Sequence, residues 1–288
     1  MNEMDNNEKV VLITGARGQL GFDLVRELKK RNINYIATDS DDLDVTNESA
    51  IAKFFDEHNI STVIHSAAYT QVDKAEEEKE LNHKINVVGT ANIASACKKH
   101  DIPMVYFSTD YVFGGEGDKP YGVDDKANPL GEYAKSKYEG ELEVKKLSKY
   151  FLIRISWVFG INGKNFINTM LKLSETKKEL TVVADQIGSP TYTVDLAKLV
   201  IDMIETDKYG VYHATNEGFV SWADFAREIF KKANKDVLVK DVTTEEYNAK
   251  AHRPKNSRLD KSKLIEAGFG KLPTWQDALD RYLKELNA

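Results

Sequence analysis

The feature that most narrows what this chain can fold into is a change of period across seven residues near its start. Lys9 to Thr14 (KVVLIT) is a nearly continuous apolar run, the pattern of a strand buried on both faces. Gly15-Ala16-Arg17-Gly18-Gln19-Leu20-Gly21 follows directly. From Gly18 to Arg31 the period is helical, with Leu20, Leu24 and Leu28 on one face and Asp23, Glu27 and Lys30 turned away. A buried strand that enters a helix through a G-x-x-G-x-x-G loop belongs to a parallel sheet with crossover helices. Gly15 permits the tight turn, Gly18 lets backbone N–H groups approach a pyrophosphate, and Gly21 allows close helix–sheet packing. The loop, with Gln19 and Leu20 in the same cradle, therefore reads as a dinucleotide site rather than as turn chemistry alone.

Strand and helix alternate from there. Tyr35–Thr38, Thr62–Ile64, Met104–Ser108 and Phe151–Ile155 read as further strands. Helices are expected from the N-cap Asn47 to about His58, from about Glu80 to Lys99, and over Glu132–Leu147. The expected fold is α/β, a Rossmann-like doubly wound parallel sheet with a smaller, mostly helical C-terminal lobe. Residues 1–156 are assigned to the dinucleotide-binding domain, which can take back later segments. Residues 157–288 are assigned to a substrate lobe, with helices near Phe166–Lys178, Val194–Glu205, Ser221–Lys232 and Thr274–Leu286.

Composition limits the partners. The 288 residues carry 40 basic and 46 acidic side chains, a formal net charge of −6. That balance argues against a bulk electrostatic grip on nucleic acid or on an anionic membrane, and leaves room for a small anion held by a few arginines. No run approaches the ~18 apolar residues of a membrane helix. The one cysteine, Cys97, excludes an internal disulfide and reads as a buried hydrophobe in a reducing compartment. Met1 to Lys9 reads as a loose polar tail, not a signal peptide, so the expected localisation is cytoplasmic. The triplet Glu76-Glu77-Glu78 reads as the solvated first turn of a helix.

Several residues carry chemistry at positions the alternation places near the glycine loop. Asp39 ends the second strand, where an acid takes a ribose 2′-hydroxyl and so favours NADH. Arg17, within the loop, suits a 2′-phosphate and favours NADPH. The balance leans to NADPH, with NADH also admitted. His65-Ser66-Ala67-Ala68-Tyr69-Thr70 supplies small residues after strand three, with His65 read as structural. Thr109, Asp110 and Tyr111 lie at the carboxyl end of strand four, the edge where ligands sit in such sheets. Tyr133 and Lys137 are four apart at the start of a helix and share a face. An ammonium there favours the phenolate and lowers the pKa of a tyrosine, which is otherwise a poor acid–base group near neutrality.

Assembled, these residues resemble the extended short-chain dehydrogenase/reductases, and within them the dTDP-4-dehydrorhamnose reductase family. The similarity covers nearly the whole chain. It rests on ITGARGQLG, HSAAYTQVDKAE, STDYVFGG, NPLGEYAKSKYEGE, RISWVFG (Arg154 to Gly160), ADQIGSPTYTVDLA and HRPKNSRLD (His252 to Asp260). The resemblance implies Tyr133 as proton donor, Lys137 as its charged partner and bond to the nicotinamide ribose, and Thr109 as the hydroxyl that polarises the substrate carbonyl. It also implies Asp44 and Val45 near the adenine, and Ala67, Ala68, Tyr69 and Thr70 lining the cofactor. Thr109, Asp110, Tyr111 and Trp157 are placed around a dTDP-4-keto-6-deoxy sugar, with Arg253 at its pyrophosphate. Asn86 matches the family's asparagine on the following helix. Sister 4,6-dehydratases carry Thr-Asp-Glu where this chain has Thr109-Asp110-Tyr111, so net reduction is expected rather than water elimination. A reductase of another nucleotide sugar, and a non-catalytic NADP-binding regulatory subunit, are the competing readings. Some family members are magnesium-dependent dimers. The acidic position after the glycine loop is Asp23 here and no cluster with metal-ligand spacing is present, so no metal ligand is assigned and a homodimer stays open.

Overall fold

The computed structural model describes residues 9–287, so nearly all of the expected N-terminal tail lies outside the described residues. Strand β1 (Val10–Thr14) is buried at every position. It pairs in parallel with β2 (Tyr35–Thr38) on one side and β3 (Ile60–His65) on the other. Beyond β3 come β4 (Met104–Thr109) and β5 (Tyr150–Ile155), and the sheet closes on Gly210–His213, also parallel. The chain therefore reverses its direction of strand addition at β1. The loops after β1 and β3 splay apart there, and ligands of open α/β sheets bind at that point.

Helices cover both faces. On one, α1 (Gln19–Lys30) packs its Leu20, Leu24 and Leu28 with Leu196, Val200 and Met203 of α8 (Thr193–Ile204). On the other, α2 (Glu48–Glu57) contributes Ile51 and Phe55, and α5 (Thr90–His100) contributes Ile93 and the fully buried Cys97. The N-cap expected at Asn47 is present: its side chain accepts from the Ala50 N–H. Residues 193–213 thus return to the sheet, α8 as a cover and Gly210–His213 as an edge strand.

Three local differences from the sequence reading have physical causes. The helix expected over Glu80–Lys99 is α4 (Lys79–His83), then a π-helical turn Lys84–Gly89, then α5. The wide turn lets buried Asn86 turn its amide onto the backbone of Tyr69. Glu77 and Glu78 are exposed as expected, but the triplet is not the first turn of a helix. Its three residues link α3 (Val72–Ala75) to α4, and each carboxylate has a partner: Glu76 the Glu132 N–H at 2.9 Å, Glu77 the Lys250 ammonium, Glu78 the Tyr69 hydroxyl at 2.6 Å. The C-terminal lobe holds a parallel strand pair, Glu179–Val183 with Leu238–Val242, as well as its helices. Its own core joins α7 (Phe166–Ser174), α9 (Trp222–Lys232) and the last helix, Trp275–Leu286, through Ile167, Phe225, Ile229, Leu279 and Tyr282.

One buried ion pair ties helix to sheet. Glu141 of α6 (Glu132–Val144) accepts from Arg154 Nε and Nη2 of β5, both at 2.8 Å, and Arg154 Nη1 donates to the Val123 carbonyl. Removing one partner leaves a buried charge alone. Glu141→Ala is therefore expected to lose about 3–5 kcal/mol in urea unfolding, and Glu141→Leu with Arg154→Met to recover most of that loss. A single variant as stable as the parent chain would show the pair to be inconsequential.

Candidate active site

The glycine loop closes on backbone. Gly15 has φ +67, and a Cβ there would lie 2.6 Å from the Ala67 nitrogen in the loop after β3. A Cβ at Gly21 would lie 2.2 Å from the Gly15 carbonyl, so this glycine makes room for the loop's own backbone rather than for the sheet. Gly18 is the N-cap of α1, with no side-chain cap and no acidic residue in the first turn. The opening N–H groups of α1 are thus left to an anion, and a loop with no side chain capping the helix fits a dinucleotide pyrophosphate.

Above this loop opens a cleft of about 380 Å³. Gly15, Gly18, Gln19, Leu20 and Gly21 line its floor, with Ala67, Ala68 and Thr70 alongside. Thr109, Asp110 and Tyr111 enter from the end of β4, Tyr133 and Lys137 from the first turns of α6, and Trp157 from the segment after β5. Ser136, beside Lys137, has its hydroxyl 2.9 Å from both the Tyr133 carbonyl and Asn82 Oδ1, and Asn86 donates to Ser136, so a buried polar lattice pins the start of α6.

Other predicted residues sit elsewhere. Tyr69 is buried outside the cleft lining: its N–H and carbonyl bond Asn86 and its hydroxyl bonds Glu78, because the π turn draws it away. Val45 is a core side chain packed over Gly89. Asp44 takes the N–H and hydroxyl of Thr46 and borders a separate surface depression with Lys84. Arg17 and Asp39 belong to one cluster: Arg17 N–H donates to Asp39 at 3.0 Å and its guanidinium pairs with Asp39 and Asp41. Burial works against the charge on Asp39. The N–H groups of Ser40 and Arg17, with the Arg17 guanidinium, outweigh it and lower the pKa. Arg253 pairs with Asp73 at 2.7 Å and lines an adjoining cavity of about 220 Å³ that shares Tyr111 and Trp222 with the cleft.

Trp222 is the residue the sequence reading missed. It opens α9 directly after the N-cap Ser221. In the structure it stacks on Trp157 with centroids 3.6 Å apart and planes at 13°. Trp157 itself has φ +49, a conformation a bulky side chain rarely adopts. The stack and the close face of Gly188 hold it there.

Burial sets the charges. Tyr133 is pushed above an ordinary tyrosine by desolvation and by Asp110, with the Thr109 hydroxyl opposing. The expected lowering by Lys137 is not found: removal from water in the cleft raises the pKa instead. Lys137 itself falls to about 7 through burial, with Glu141 opposing. Asp110 rises to about 6 for the same reason. Its Oδ1 accepts the Thr109 hydroxyl at 3.0 Å and its Oδ2 has no hydrogen-bond partner among the described residues. His65 is held neutral, bonded to the Thr14 and Thr90 hydroxyls, with its pKa lowered to about 3 by burial and by Lys137. The residues present do not fit a divalent cation near Asp23. That carboxylate is committed to Arg26 and to the Thr193 hydroxyl, and among the described residues no group of three or more acidic, histidine or cysteine side chains is placed to hold one.

Comparison with known proteins follows the geometry. The family model described as the RmlD substrate binding domain matches residues 9–288. The spore coat polysaccharide biosynthesis protein SpsK of Bacillus subtilis is 42% identical, over 96% of this chain and 97% of its own length. A dTDP-4-dehydrorhamnose reductase of Aggregatibacter actinomycetemcomitans is also 42% identical, over 93% and 96%. Among solved structures, the dTDP-4-dehydrorhamnose reductase of Bacillus anthracis in complex with NADP superposes with a TM-score of 0.93 at 43% identity, covering 96% of this chain and 99% of that one. An ortholog from Clostridium acetobutylicum gives 0.94 at 44% identity, covering 98% and 100%.

The buried histidines predict an acid-side loss of stability. His65 and His213 both have folded pKa values of about 3, against about 6.5 unfolded. The unfolded chain therefore binds protons the folded chain refuses. Their contribution is fully present above pH 6.5 and lost as pH falls towards 3, at about 1.4 kcal/mol per pH unit for each. Unfolding at pH 7.5 and pH 5 should show a shallower fall for His65→Gln than for the parent chain. Parallel curves would mean that His65 is not held neutral.

Proposed function

The chain belongs to the RmlD substrate binding domain family, and from that membership and the residues gathered in the cleft we propose that it reduces the C4 ketone of dTDP-4-dehydro-L-rhamnose to dTDP-L-rhamnose. It is an NAD(P)-dependent oxidoreductase of dTDP-rhamnose biosynthesis, using NADPH with NADH also able to serve. The observation that carries the reading is that Thr109, Tyr133 and Lys137, from two different elements, open on one cleft directly above the glycine loop.

When bound, the cofactor supplies hydride to the ketone carbon. The α1 N-terminus and the glycine loop hold its pyrophosphate, while Asp39 and Arg17 face its adenosine ribose. Tyr133, kept protonated by its dry surroundings, gives its proton to the developing alkoxide. Thr109 orients the same oxygen, and the Lys137 cation offsets the negative charge that develops beside Tyr133. The Trp157–Trp222 stack forms an apolar wall for the sugar, with Asp110 and Tyr111 at its hydroxyls. Arg253, at the border of the cleft and the adjoining cavity, turns from Asp73 to the nucleotide's phosphates. Of the described residues, 9–156 together with 193–213 form the cofactor half, and the remainder forms the sugar-nucleotide lobe. Cytoplasmic work and a homodimer belong to the same reading. No helix among the described residues is long and apolar enough to cross a membrane.

A packed Tyr111 beside Tyr133, with ring centroids 5.9 Å apart, stands where elimination would need an acid. An intact Thr109–Tyr133–Lys137 set speaks against a purely regulatory subunit. The decisive assay is NADPH absorbance loss with dTDP-4-dehydro-L-rhamnose, run beside NADH and the UDP-linked analogue. Tyr133→Phe should lower kcat by about a hundred- to ten-thousandfold while cofactor binding persists. Absence of oxidation by the parent protein with cofactor bound would overturn the reading, and full turnover by Tyr133→Phe would overturn the role given to Tyr133.

A further inference from the structure

Lys137 poses a problem that the reaction does not solve by itself. It is 4% exposed, and an ammonium out of water needs compensation. A carboxylate supplies only part of it. Glu141, one turn further along α6, is bound by Arg154 at 2.8 Å and by Lys145 at 3.3 Å, so its charge is already answered twice. His65 of β3 is neutral, and Tyr133, one turn earlier on α6, is a protonated phenol. The group directly against the cation is the ring of Tyr106, in the middle of β4.

We propose that Tyr106 is a positioning residue whose ring face seats the Lys137 ammonium and keeps it charged. Lys137 Nζ lies 4.1 Å from the ring centroid, within cation–π distance. Three contacts fix that ring. Its hydroxyl donates to the Lys137 carbonyl at 3.1 Å. His65 stacks beside it at 6.2 Å and 19°. Gly140 leaves the space the hydroxyl occupies, since a Cβ there would lie 2.3 Å from it. A ring quadrupole suits this place better than a carboxylate would. It stabilises the cation without cancelling its charge, so the full positive charge still faces Tyr133 and the ligand. The seat rests on the role given to Lys137 under the proposed function, but its own test needs no substrate.

The test compares Tyr106→Leu with Tyr106→Phe in the cofactor-free protein. Competitive acetylation with acetic anhydride, read by peptide mass spectrometry, follows protonation of Lys137 against pH, because Lys137 opens on the cleft. Losing the ring face should lower the proton affinity of Lys137 about tenfold, one pH unit, and Tyr106→Phe should retain the parent midpoint. In turnover, the high-pH limb of kcat should move the same way in the leucine variant alone. An unshifted midpoint in a folded Tyr106→Leu chain overturns the proposal. So does an equal shift in Tyr106→Phe, which would assign the effect to the hydroxyl. If the leucine chain does not fold, Tyr106→Met carries the same comparison. A midpoint shift in a protein that reduces no sugar would leave the seat standing and remove the reductase reading.

Discussion

The structure depends on one contact between two stretches of backbone. At the point where strand order reverses, Gly15 and Ala67 meet too closely for any side chain on the first of them. This approach lets the loop after β1 lie on the loop after β3, and Ser66 secures it by donating to the Thr14 carbonyl at 2.6 Å. The cleft therefore has a floor of backbone N–H groups and small side chains. A helix N-terminus points into it, the arrangement that binds anions without any lysine or arginine in contact. Thr109, Tyr133, Lys137 and Trp157 are arranged around that floor by the ends of β4 and β5 and the start of α6.

Dryness is the second determinant. Burial drives Tyr133 and Asp110 towards their neutral forms and Lys137 towards its neutral form as well. A site so placed stays charged only where a neighbour compensates. Asp39 does so through N–H donors, Glu141 through two cations, and Lys137 through an aromatic face. The phenol is left protonated, which suits a reaction that ends by handing over a proton.

The two halves are laced together across the cofactor loop rather than joined by a hinge alone. The Gln19 side chain accepts from the Gly160 N–H and donates to the Lys164 carbonyl, while Asn162 donates to the Arg17 carbonyl. The segment from the second lobe thus crosses over the glycine loop. Trp157, at the root of that segment, is brought by its left-handed backbone against Trp222 of α9. The sugar-side wall is accordingly assembled from two distant points of the segment expected as the substrate lobe, Trp157 at its start and Trp222 in α9.

The sequence alone determined what depends on local period and on residue type. The buried strand, the glycine loop, the amphipathic helix after it and the alternation that follows are short-range patterns, and the helix register of Tyr133 and Lys137 follows from spacing four. Only the tertiary structure decided which of these residues meet. Tyr69 stands among cofactor-lining neighbours in the chain, yet a π turn seventeen residues on draws it away. Nothing in the chain, where Trp157 and Trp222 stand far apart, shows that one ring lies on the other. The direction of the Tyr133 pKa shift was expected downward and is upward, because a neighbouring ammonium is visible in the spacing while the loss of water is not. Burial is a property of everything that surrounds a group, and so it is settled only when the distant parts of the chain have packed.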